Sequence, residues 1–195
     1  MKNLVVFASG SGSNFQSIID AISEGKLDAT IVGFISNNES AYSVERAKDN
    51  NIPVLIASPS DFLSEKEFSS ILLDQLNDWN AEVLILAGYL KLIPSEVIKA
   101  YKNNILNIHP SLLPKYGGKG FYGIKVHEAV IANNETESGC TVHIVTEEYD
   151  KGPVLGQSIV KVSSKDSASD LAKKVLEKEH ELYPLVIKNH IQTQN

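Results

Sequence analysis

The chain has 195 residues, with 24 acidic against 18 basic side chains and a net charge of −6. The length suits one domain, 1–195, with ample material for a core, and the acidic balance disfavours the broad basic footprint that DNA or tRNA requires. A single cysteine excludes an internal disulfide, and the apolar start over 1–8 is too short to span a bilayer or act as a secretory signal, so a cytoplasmic enzyme or binding protein, with no membrane partner, is expected.

Residues 4–8 form an unbroken apolar run that predicts a buried parallel-type strand. The turn Ser9-Gly10-Ser11-Gly12-Ser13-Asn14 follows and feeds a helix with Phe15, Ile18, Ile19 and Ile22 at helical spacing. Ser13 and Gln16 fit a capping box. A glycine-rich turn at a helix N-terminus favours anions, because free N–H groups and the positive end of the helix dipole meet there. The dinucleotide fingerprint would need glycine where Phe15 stands, and the Gly-Lys-Ser/Thr of a phosphate loop is absent. A mononucleotide or sugar phosphate is therefore favoured over NAD or ATP, with an unliganded connector as the alternative.

Strands are predicted over 30–35, 54–57, 83–87 and 105–109. Between them lie helices over 40–50, with Ala41, Val44 and Ala47 inward, and from Ser64, where Ser64 and Glu67 suggest a capping box and Phe68, Ile71, Leu72, Leu76 and Trp79 face the core. A short helix is expected over 95–102. The alternation predicts an α/β fold: a single-domain, mainly parallel twisted sheet with helices on both faces, its glycine turn and the end of the fifth strand on one edge. Beyond it come a helix over 124–133, an alternating strand over 139–146, a strand over 154–162, and a final helix from Ser167, capped with Asp170, to about Leu182. Pro184 is expected to kink or restart that helix, and the polar last residues to fray.

Asn107 and His109 stand two apart at the end of the fifth strand and so share a face, with Pro110 stopping the pairing. An amide and an imidazole side by side can stabilise an oxyanion and move a proton; the same pair also reads as structural. Asp150 lies in an acidic loop before Gly152-Pro153, where a carboxylate near His109 would favour the imidazolium, or would serve only the turn. The five histidines lack metal-ligand spacing, so no metal is expected. His127 is expected on a helix surface, His143 on a half-buried strand and Cys140 in the core.

The string Asn107-Ile108-His109-Pro110-Ser111-Leu112-Leu113-Pro114, with Asp150 and Gly152-Pro153, resembles the formyltransferases that use 10-formyltetrahydrofolate. Gly10-Ser11-Gly12-Ser13-Asn14 and Leu86-Ala87-Gly88-Tyr89-Leu90 extend the likeness over nearly the whole chain. The resemblance implies a Rossmann-like fold and transfer of a formyl group to the amine of glycinamide ribonucleotide, in purine synthesis, by a monomer or homodimer. It implies Asn107, His109 and Asp150 as catalytic residues. Gly12, Ser13, Asn14 and Glu179 would contact the ribonucleotide, and Lys66, Leu90, Lys91, Leu92, Ile93 and Asn107 the formylfolate. It departs at 116–123, where many members carry a Pro-Gly pair. The member acting on tRNA has an added C-terminal domain, and the deformylases an added N-terminal one; neither is expected here.

Overall fold

The computed structural model describes residues 1–193. Its strands order as β3-β2-β1-β4-β5-β6-β7 in a mainly parallel sheet, and the chain divides into two compact units, one to Leu106 and one from Asn107 onward.

In the first unit β1 (Lys2–Phe7) lies between β2 (Ala29–Ser36) and β4 (Val83–Leu86), and β3 (Val54–Ile56) pairs with β2, all parallel. Leu4, Val5, Val6 and Phe7 are each fully buried. Successive strand residues point to opposite faces, so helices must cover both. Helix α1 (Ser13–Ser23) buries Phe15 and Ile18, and Phe15 stacks on Phe34 of β2. The Ser13–Gln16 capping box does not form. Gly12 caps the helix in the left-handed region at φ 70°, leaving Ser13 already helical, and the Gln16 side chain turns to Asp20 and Arg46.

Helix α2 (Tyr42–Asp49) buries Val44 and Ala47 as the spacing predicts, with Ala41 buried at its N-cap. Helix α3 (Glu65–Asp78) is capped by Ser64, whose hydroxyl accepts the Glu67 N–H. The Glu67 carboxylate accepts from Leu63 rather than closing the box on Ser64. Its buried stripe runs Phe68–Leu72–Leu76 at four-residue steps, which leaves Ile71 off the stripe and exposed, against expectation. Trp79 packs directly on Gly33 of β2. The short α4 (Ser95–Ala100) precedes β5 (Ile105–His109), which has the predicted bounds.

In the second unit β6 (Glu137–Ile144) and β7 (Val154–Lys161) form an antiparallel pair, Gly139 opposite Ile159. Helix α5 (Ile124–Ala132) packs on α6 (Ala168–Thr193), which covers β6 and β7. The α6 cap is a reciprocal Ser167–Asp170 box, as expected. Pro184 does not restart α6, which runs through it to Thr193. Buried Tyr183, Val186, Ile187 and Ile191 hold both sides of the proline against the core, offsetting its missing N–H bond. Expected fraying of residues 194–195 lies outside the described residues. His127 is buried on α5 rather than on its surface, and His143 is fully rather than half buried. Cys140 is buried, as expected.

Candidate active site

Asn107 and His109 leave β5 on one face, and β6 supplies His143. The loop after β6 supplies Asp150, held at φ 53°, a left-handed conformation that Asp tolerates better than most residues. The Asp150 carboxylate stands between two buried imidazoles: Oδ2 is 3.6 Å from His109 Nδ1, and Oδ1 is 3.5 Å from His143 Nε2. The sequence expectation that Asp150 approaches His109 therefore matches the geometry. His143 was missed because its alternation with Thr141 and Val145 reads as ordinary strand packing.

Hydrogen bonds assign the protons. His143 Nδ1 lies 2.9 Å from the Ile144 carbonyl and must donate to it, so in the neutral ring Nε2 carries the lone pair. Asn107 Nδ2 donates to that nitrogen at 3.1 Å. One of its two N–H bonds is thereby fixed, and the other is left to point elsewhere. His109 Nε2 lies 2.8 Å from the Tyr116 carbonyl and donates to it. A neutral His109 then presents a bare Nδ1 to the carboxylate, which fits their separation of 3.6 Å without a bond.

Burial pushes the His109 pKa down, more than Asp150 and the Tyr116 carbonyl together raise it, with His143 adding to the depression. Desolvation thus outweighs the carboxylate, and the His109 pKa lies below its ordinary value. For Asp150, burial is the largest single influence and raises the pKa. The neighbouring His143 and His109 imidazoles and the Gly118 N–H together outweigh it and leave the carboxyl below its usual range.

The loop between β5 and α5 grips this carboxylate. Gly118, at φ 90°, turns its N–H onto Asp150 Oδ2 at 2.8 Å, and Gly117 leaves no room for a Cβ between Leu113 and Asp150. Tyr116, left-handed at φ 54°, is anchored by its hydroxyl to Glu135, which also takes Lys115. Thr141 Oγ1 donates to the Ser111 carbonyl and accepts the Leu113 N–H, tying the loop to β6.

In the first unit, Ser13 and Asn14 form the first turn of α1. Ser9 Oγ donates to Asn37 and accepts the Leu90 N–H, linking the glycine turn to the segment that begins at Gly88. Leu90 and Leu92 are exposed, at 61% and 54%, beside exposed Lys91, while Ile93 is buried. Lys66 is exposed on the first turn of α3. In the second unit Glu179 is a buried carboxylate on α6, and its charge helps burial push the Cys140 thiol up to about 12. Among the described residues no three acidic, His or Cys side chains are grouped to hold a metal, and no helix is long and apolar enough to cross a membrane.

The family described as Formyl transferase matches residues 2–187. The chain belongs to that family. It is 47% identical over 191 residues to "Phosphoribosylglycinamide formyltransferase, chloroplastic" of Arabidopsis thaliana, covering 95% of this chain and 64% of the relative. The chain thus spans less than two thirds of that plant protein. It is 38% identical to "Phosphoribosylglycinamide formyltransferase" of Escherichia coli, covering 95% of this chain and 85% of the relative. The crystal structure of phosphoribosylglycinamide formyltransferase from Bacillus halodurans superposes with a TM-score of 0.92 at 32% identity, covering all of this chain and 97% of that one. The α/β sheet expected from the alternation of elements is therefore the fold of the family.

Proposed function

We propose that this formyl transferase moves the formyl group of 10-formyltetrahydrofolate to the amine of glycinamide ribonucleotide, a step of de novo purine synthesis. It would act on these small molecules in the cytoplasm, as a monomer or homodimer. The observation that carries the reading is the Asp150 carboxylate set between the His109 and His143 imidazoles, with Asn107 fixed on His143. The printed names of the relatives in Arabidopsis thaliana and Escherichia coli support it.

The amine nitrogen attacks the formyl carbon, the new C–N bond forms, and the carbonyl electrons move to oxygen. The second N–H of Asn107 stabilises that oxyanion, a contribution of roughly 3–4 kcal/mol for one well-placed donor. His109 Nδ1, neutral at rest, takes the proton from the attacking amine, and Asp150 stabilises the imidazolium while it lasts. The same proton then passes to N10 of the folate as the old C–N bond breaks. No covalent bond to the protein is needed. Gly12, Ser13 and Asn14 would hold the phosphate and Glu179 a polar group of the ribonucleotide. Lys66 would meet an anionic part of the folate, and Leu90, Lys91, Leu92, Ile93 and Asn107 its ring system, where exposed leucines offer an apolar face.

The test is to mix the protein with 10-formyltetrahydrofolate, with and without glycinamide ribonucleotide, and follow tetrahydrofolate and formylated product. Both should form only when the amine is present. Tetrahydrofolate without the amine would make the protein a hydrolase, and no turnover at all would leave a binding module in which Asn107 and His109 are structural.

A further inference from the structure

The glycine turn is shaped by a side chain that the mechanism above does not use. Arg46, on α2, reaches across and donates from Nε to the Ser11 carbonyl at 2.9 Å and from Nη1 to Gln16 Oε1 at 2.8 Å. Its guanidinium also lies over the Tyr42 ring, 4.8 Å from the centroid. The two acceptors sit on opposite sides of Gly12, the left-handed residue at which the turn becomes helix. The α2 backbone closes on the same point: the Ser43 N–H bonds to the Gly10 carbonyl, and a Cβ on Gly12 would meet Ser43 Cβ at 2.6 Å.

Neither acceptor is charged, and among the described residues Arg46 makes no ion pair. The guanidinium is therefore held beside the turn by its hydrogen bonds to Ser11 and Gln16. A planar fork with two anchored N–H bonds and a stacked face holds a loop in one geometry, which a lysine cannot do.

We propose that Arg46 is a positioning residue that presets the 10–14 turn for a phosphate monoester and adds its field to that of the α1 N-terminus. This rests on the phosphate reading of the turn proposed above. It acts before chemistry, on the affinity for the phosphorylated substrate, and leaves the formyl donor untouched.

The test compares wild type, Arg46→Ala and Arg46→Lys, first by calorimetric titration with ribose 5-phosphate. Arg46→Ala should weaken binding about tenfold, the scale of one lost charge-assisted hydrogen-bond contact, and Arg46→Lys should recover only part of it. Equal affinity in wild type and Arg46→Ala, full recovery by lysine, or a wild type that does not bind ribose 5-phosphate overturns the proposal. In turnover, the KM for glycinamide ribonucleotide should rise by a similar factor, with the KM for the formyl donor unchanged and little loss of kcat. The phosphate-free glycinamide riboside should be used equally well by wild type and Arg46→Ala; an equal loss on the riboside also overturns it. If Arg46→Ala does not fold, Gln16→Ala removes one anchor of the fork and should raise the same KM severalfold, and an unchanged KM there counts against the proposal. A wild type that binds ribose 5-phosphate yet makes no product overturns the formyl-transfer reading and leaves this one standing.

Discussion

The Asp150 carboxylate reaches both imidazoles, so its removal separates binding from chemistry. Asp150→Asn keeps the shape and the Gly118 contact but cannot stabilise an imidazolium. The turnover number should fall by about 10²–10⁴, the usual span for a proton-transfer group, while calorimetry shows ribonucleotide affinity within a few-fold of wild type. Unaltered turnover would remove Asp150 from the chemistry. The depressed His109 pKa sets the pH profile. The base form is the active one, so kcat/KM should rise with pH through a value below the ordinary imidazole pKa and be level by pH 7. A profile that falls over that range would require a resting imidazolium instead. His143→Ala frees the Asn107 amide and should lower kcat at nearly constant KM. Asn107 and His109 were legible from a two-residue spacing and a proline stop. His143 was not, because its role depends on which side chain lies opposite on another strand.

Strand identities followed from pattern where a strand is apolar on both faces, as β4 is, and β5 appears with its predicted bounds. Caps were readable where a side chain makes them and unreadable where the backbone does. Ser167–Asp170 closes as a box, whereas α1 is capped by the left-handed Gly12, which the pattern of Ser13 and Gln16 conceals. Ser167→Ala should therefore cost about 1 kcal/mol in urea denaturation, and Ser13→Ala much less. Pro184 failed as a breaker because tertiary packing on both sides outweighs a local preference. Gly33 shows the same precedence of packing. A Cβ there would lie 2.1 Å from the Trp79 ring, so Gly33→Ala should destabilise by about 1–3 kcal/mol, the range for overpacking. Pairing it with Trp79→Leu should recover part of that loss. Simple additivity of the two changes would mean that the ring is free to move aside.

Acid stability tests the burial of the second unit's histidines as a property of the entire molecule. His109 and His127 are both buried with depressed pKa values. For His127 burial drives the value down to about 4, with the nearby His109 charge adding to it. In the unfolded chain both titrate near 6.5. Between that value and their folded pKa values the unfolded state binds more protons, so stability rises with pH there. Acidification should thus leave the urea midpoint level until about pH 6.5, as far as these groups are concerned, and then lower it progressively towards pH 4. Asp150 acts in a lower window: its depressed carboxyl contributes stability above the ordinary carboxyl pKa, which is lost as pH falls through the folded value. Near pH 5 His127 should contribute close to one extra proton to the slope of unfolding free energy against pH, and His127→Gln should lower the slope by that amount. An unchanged slope in that variant would mean that His127 is already protonated in the folded protein, which a side chain 4% exposed on the inner face of α5 does not allow without a partner for its charge.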